Sequence, residues 1–116
     1  MKFCIPLKLS SWNDIIGQCR SNKYYANTHK KREMADISMF LNKIPKIEKY
    51  PVEMVFKWHI KRNCDLDNKS VKSLMDQMQI QGILENDDIK HINKITYIAI
   101  KDKEDFVEVE VINGNN

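Results

Sequence analysis

The stretch Val52-Glu53-Met54-Val55-Phe56-Lys57-Trp58-His59-Ile60 decides the fold. Val52, Met54, Phe56, Trp58 and Ile60 share one side, with Glu53, Val55, Lys57 and His59 on the other. That is the period of two required of a strand with one buried face. The same parity carried onward puts Leu66 on the core side and Asp65 and Asp67 on the polar side. The strand is therefore expected to present two carboxylates on one face at its carboxyl end.

The neighbouring segments are read outward from this strand. Downstream, Asn68 or Ser70 can cap a helix whose buried stripe is Val71, Leu74, Met75 and Met78, with Gly82 as its stop. An acidic cluster, Glu85-Asn86-Asp87-Asp88, precedes an expected strand over Lys90–Ile100. A polar turn over Lys101–Asp105 and an alternating run over Phe106–Ile112 then predict a hairpin, followed by a frayed tail at 113–116.

Upstream, residues 2–9 alternate as a strand, and Pro6 assigns it to an edge or a bulge because proline cannot donate to a ladder. Ser10–Asn27 has little periodicity and reads as a long loop with one short helical turn. Met34, Ile37, Leu41 and Ile44, with Phe40 beside them, predict a helix from Thr28 as N-cap to Lys43, halted by Pro45. Its first turn would carry Lys30, Lys31 and Arg32, where the helix dipole favours anions and a bound phosphate would relieve the conflict. The expected order is β-α-β-α-β-β: one small α/β (α+β) domain over residues 1–116, with two main helices on a mixed sheet.

At 116 residues the chain has material for one modest core, and 42% hydrophobic with 30% charged residues is the balance of an ordinary globular protein. No apolar run approaches the roughly 20 residues that span a bilayer. The N-terminus lacks a signal-peptide pattern. Cys4, Cys19 and Cys64 are odd in number without C-x-x-C spacing, which argues for reduced thiols in a cytoplasmic protein rather than disulfides or structural zinc. Charge is unevenly spread. Residues 1–62 hold 13 Lys/Arg against 5 Asp/Glu, a balance of +8, and residues 63–116 hold 6 against 11, a balance of −5. Such asymmetry points to a basic surface for a polyanion and a separate acidic site.

Asp65 and Asp67 suit a hard cation, Mg²⁺ or Mn²⁺, which takes oxygen ligands and keeps positions for water and phosphate. Asp87 or Asp88 can supply a third carboxylate, and Lys72 could reach back to a phosphate. A lone D-x-D is a weak signal, because helix capping explains such residues as often. A calcium loop from Asp65 is excluded by Ser70 where glycine is needed and Lys69 where an oxygen ligand is needed. His59 reads as a solvated side chain on the polar strand face, and Trp12 as a base-stacking platform or a core anchor.

Together, Asp65-Leu66-Asp67-Asn68, Lys72, Asp76, Gly82 and Asp87-Asp88 resemble the RusA family of Holliday junction resolvases. The likeness is concentrated in residues 58–92. It implies Asp65, Asp67 and Asp88 as metal ligands, assisted by Asp87, with Lys72 as the catalytic lysine. The spacing from Asn68 to Lys72 is one residue longer than the family pattern, which leaves Lys69 as the alternative. The resemblance further implies a homodimer that cuts four-way DNA junctions symmetrically with Mg²⁺ or Mn²⁺ in recombination and repair, a type common in phages and prophages. Lys30, Lys31, Arg32, Lys57, Lys61, Arg62 and Lys69 are the expected nucleic-acid contacts. The rival readings are a non-catalytic architectural DNA-binding module and a metal-dependent nuclease with a different nucleic-acid substrate.

Overall fold

Residues 52–60 do form a strand, and their burial explains its place in the sheet. Val52, Met54, Phe56, Trp58 and Ile60 are all buried, and Val55 on the opposite side is buried as well. A strand covered so fully belongs inside a sheet. In the computed structural model, which describes residues 1–21 and 23–113 (side chains other than 18, 19, 21 and 23–25), this strand, β2 (Val52–Ile60), has neighbours on both edges. The full order is β1 (Lys2–Ile5), α1 (Trp12–Ser21), α2 (Lys23–Leu41), β2, a 3₁₀ turn (Leu66–Asn68), α3 (Lys72–Ile80), β3 (Ile92–Lys101) and β4 (Phe106–Asn113).

The sheet runs β1-β4-β2-β3 and is mixed, as expected. β3 lies parallel to β2 and β4 antiparallel to it, with Trp58 opposite Ala99 on one side and Val107 on the other. β3 and β4 therefore form no hairpin; β2 lies between them. The reason is burial. Val107, Val109 and Val111 of β4 are nearly inaccessible and need an inner position, whereas β3 tolerates the edge with Ile95 and Ile98 exposed. β1 is the other edge strand and ends immediately before Pro6, consistent with the missing N–H of proline.

The core lies on the even-numbered face of β2. Ile37 and Leu41 of α2 and Leu74, Met75 and Met78 of α3 pack there with Ile5, Val107 and Val109. α3 follows its expected stripe. Its end also matches: Gly82 has φ +74° and donates to the Gln79 carbonyl, while Ile83 donates to Met78, two bonds that satisfy the last orphan carbonyls. Ser70 Oγ accepts the Lys72 N–H at 3.2 Å, so serine rather than Asn68 serves this helix start.

Among the described residues three α-helices form, where two main helices were expected. The expected loop over 10–27 contains α1 and the beginning of α2. A reciprocal pair nucleates α1: Ser11 Oγ accepts the Asp14 N–H, and Asp14 Oδ2 accepts the Ser11 N–H at 3.0 Å. α2 begins at Lys23, so Thr28 is interior rather than an N-cap. Lys30, Lys31 and Arg32 accordingly stand beyond the first turn, and the dipole conflict is removed. Asn113, expected in the frayed tail, instead ends β4 opposite Val52, while 114–116 and the side chains of Cys19, Tyr24 and Tyr25 lie outside the described residues. Among the described residues no helix is long and apolar enough to cross a membrane.

Candidate functional site

β2 ends at Ile60, and the next five residues lead into the 3₁₀ turn Leu66–Asn68. Strand parity does not extend to Asp67, as the sequence reading assumed; the turn performs the sorting instead. Leu66 packs against the core, while Asp65 and Asp67 are exposed on either side of it. Asp65 occupies the N-cap position of the turn without a side-chain cap bond. Among the described residues neither carboxylate has a hydrogen-bond or ion-pair partner in the structure, so the helix-capping explanation fails for both.

Asn68 has a different task. Its Oδ1 accepts the backbone N–H of Asn13 at 3.0 Å, satisfying a donor in the first turn of α1. This bond brings α1 against the end of β2 and closes a cleft of about 270 Å³. Asp65, Asn68, Lys69 and Arg62 line it, together with Lys8 from the β1–α1 connection, Asp14 from the first turn of α1 and Asp105 from the β3–β4 connection. The Asp14 carboxyl is held below its ordinary value, first by the Ser11 N–H and then by Lys8 and Lys69. Lys69 also stands 5.7 Å from the ring centroid of Trp58, whose buried Nε1 has no hydrogen-bond partner.

Lys72 faces elsewhere. It lines an adjacent cleft of about 230 Å³ with Trp12, Lys30, Glu33 and Asn27. Asp76 organises the cations there, accepting from Lys30 at 2.6 Å and lying 3.7 Å from Lys72. Lys30 is thus an α2–α3 tie rather than a free phosphate contact. The chain segment 9–14 separates the two clefts, and Trp12 on it is 44% exposed, which excludes a role as a core anchor. Of the lysine alternatives, Lys69 shares the cleft with Asp65 and Lys72 does not.

The remaining expected site residues are dispersed. Lys31 and Arg32 are exposed on α2, Lys57 lies on the sheet face away from the helices, and Lys61 is exposed just after β2. Asp87 and Asp88 precede β3, which runs parallel to β2 with Ile92 opposite Val52. They lie at the amino end of β2, whereas Asp65 and Asp67 follow its carboxyl end. The eight rises of ~3.3 Å between its first and last residues separate the ends by roughly 26 Å. Asp88 is instead held by His91 Nδ1 at 2.5 Å, and His91 stacks edgewise on Tyr50.

The expected triad of Asp65, Asp67 and Asp88 is therefore not assembled within the chain. Among the described residues no group of three or more His, Cys, Asp or Glu could hold a metal ion. Of the two carboxylates only Asp65 lines the cleft, and a hard cation such as Mg²⁺ is commonly held by one or two carboxylates with phosphate oxygens and water completing its shell. Sequence reading missed Lys8, Asp14 and Asp105 as cleft residues. The Ser11–Asp14 capping pair and the helical spacing of Trp12, Ile15, Ile16 and Cys19 were the local signals that could have located the α1 wall. No protein-family model matches the chain, and no curated protein matches it either.

Proposed function

We propose that the chain is a metal-dependent endonuclease acting on branched DNA, with its active centre in the cleft at the carboxyl end of β2. One observation carries the reading: an exposed, unpaired carboxylate, Asp65, lines a cleft whose cations, Lys8, Arg62 and Lys69, suit a phosphate backbone, and a second, Asp67, stands exposed two residues on. Positive groups beside a carboxylate pair attract the polyanion that the acids alone would repel. Trp12, on the segment dividing the two clefts, offers a flat apolar surface to an unpaired base. The four-way junction as substrate, and the homodimer that would place paired nicks on it, rest on the likeness of Asp65-Leu66-Asp67-Asn68 to the resolvase motif.

Asp65 and Asp67 would hold Mg²⁺ or Mn²⁺ together with a phosphate oxygen, and Lys69 and Arg62 would bind the strand on either side. The ion, when bound, supplies Lewis-acid polarisation of the phosphate and an activated water. Asp88 can join such a site only from a second protomer. A DNA-binding module without catalysis is the rival reading, because Asp65 and Asp88 flank opposite ends of β2.

A nicking assay on a four-way junction, a plain duplex and a single strand, each with and without Mg²⁺, tests the proposal. Symmetric metal-dependent cuts in the junction are expected. Asp65→Asn should abolish cleavage while junction binding persists. Binding without cutting at any metal concentration would establish the non-catalytic module, and cutting confined to another substrate would reassign the nuclease.

A further inference from the structure

His59 is far from the solvated strand residue its alternation suggests. Its side chain is 10% exposed, and both ring nitrogens are engaged: Nδ1 lies 2.8 Å from Asp102 Oδ2 and Nε2 lies 2.6 Å from Glu108 Oε1. The ring stacks on Phe106 at 3.9 Å between centroids with a 10° interplanar angle. A neutral imidazole has one N–H and one lone pair, so it can donate to only one of two carboxylates. Two ionised carboxylates on the two nitrogens require an imidazolium.

The groups around this ring come from every neighbouring strand. Glu108 lies on β4, opposite Lys57 of β2 and Cys4 of β1, and Ile100 of β3 faces His59 from the other side. Asp102 begins the β3–β4 connection, next to Lys103. Burial pushes the Cys4 thiol up, with Glu108 adding to the shift, so Cys4 contributes no competing anion. The Asp102 carboxyl is held below its ordinary value, first by the Lys103 N–H and then by His59, so it stays ionised.

The connection that Asp102 begins is a wall of the candidate cleft. It is tied to the end of β2 at three points: Asp102 N–H donates to the Ile60 carbonyl at 3.0 Å, Lys61 N–H donates to Asp105 Oδ1 at 3.2 Å, and His59 bonds Asp102. Asp105 itself lines the cleft with Asp65 and Arg62. We propose that His59 is a protonation-dependent latch: as an imidazolium it clamps the 102–105 connection between β2 and β4, and on losing its proton it releases Asp102 or Glu108 and loosens the cleft wall that carries Asp105. His59 is thus a positioning residue, acting through Asp102. The functional meaning of the wall rests on the nuclease reading; the latch does not.

Nitrogen and proton NMR of the full chain across pH 5 to 9 tests this without reference to DNA cleavage. At the acid end both His59 ring nitrogens should carry protons, and the amides of Lys61, Asp102, Lys103 and Asp105 should shift with the same midpoint as the ring. His59→Gln should remove that shared shift while the rest of the spectrum stays dispersed. Should that variant fail to fold, Asp102→Asn provides the second arm: the ring still titrates, and the connection's amides no longer follow it. A single neutral tautomer throughout the range would overturn the latch, as would amides that ignore the ring. A chain that cuts no junction but shows the coupled titration keeps the latch and loses only the nuclease reading.

Discussion

Asn68 Oδ1 and the Asn13 backbone N–H, 55 residues apart in sequence, meet at 3.0 Å and join the turn carrying Asp65 and Asp67 to the first turn of α1. One side-chain amide therefore aligns the carboxylates with the wall formed by Ser11 and Asp14. Asn68→Ala should leave the N–H without its partner and cost about 0.5–1.5 kcal/mol, the usual net worth of one such bond. Since no described side chain of α1 belongs to the central core, the loss should appear more strongly locally than globally. Faster amide hydrogen exchange at residues 13–17, with a small drop in the urea midpoint, is expected. A large global loss with unchanged exchange in α1 would show that Asn68 supports the core instead.

Lys69 and Lys72 separate two versions of the site. Lys69 shares a cleft with Asp65, above Trp58, while Lys72 faces Asp76 alongside Lys30. Lys69→Ala should weaken junction binding and reduce the slope of log affinity against log salt by about one, as expected when one phosphate contact is lost. Lys72→Ala should change the slope less, because Lys30 remains 2.6 Å from Asp76 and keeps that corner neutral. Fluorescence anisotropy at four or five salt concentrations distinguishes them. The reverse order would restore Lys72 to the role that the family likeness assigns it.

Periodicity made part of this architecture legible. β2, the α3 stripe and the Gly82 stop each carry their information within about ten residues, and all three form where expected. α1 escaped although Trp12, Ile15, Ile16 and Cys19 fall at i, i+3, i+4 and i+7, because Ser10, Ser11, Asn13, Asp14 and Gly17 among them read as turn formers; the Ser11–Asp14 pair marks its start. Sheet order escaped for another reason. A short polar turn joins β3 to β4 whether or not they pair, and the choice is made by which strand can be buried on both sides. The site divides in the same way. Asp65 and Asp67 were visible as a motif, whereas Lys8, Asp14 and Asp105 come from remote segments that no spacing connects. Asp88 was placed with them by its chemistry, and strand direction separates it.

Acid should unfold the chain partly through three carboxylates. Asp14, Asp88 and Asp102 are all held below their ordinary value of 3.8, the first chiefly by the Ser11 N–H, the second by His91 and the third by the Lys103 N–H. A carboxyl depressed in the folded state contributes stability that is present above its unfolded value. That contribution fades as pH falls below about 3.8 towards the folded values. Urea midpoints between pH 2 and pH 6 should therefore fall on the acid side. Asp88→Asn should flatten part of that fall without altering the plateau near pH 6 in slope. An unchanged acid limb in this variant would remove Asp88 from the set.

The distance between the two acidic clusters makes a sharper demand on the DNA chemistry. Asp65 and Asp88 flank opposite ends of β2, so the ligand set implied by the resolvase likeness and the geometry of one protomer are compatible only if Asp88 comes from a second copy. A dimer built that way has two composite sites, each taking Asp65 from one protomer and Asp88 from the other. Asp65→Asn and Asp88→Asn should each abolish cleavage when alone. Co-refolded in equal amounts, they should regain it: in the mixed dimer one site loses both aspartates and the other keeps both. With random pairing half of the dimers are mixed, each with a single intact site, so about a quarter of the wild-type number of sites returns, and these dimers make one nick per junction rather than two. Full activity of Asp88→Asn alone would instead leave the metal to Asp65 and Asp67, and no recovery on mixing would rule out the shared site.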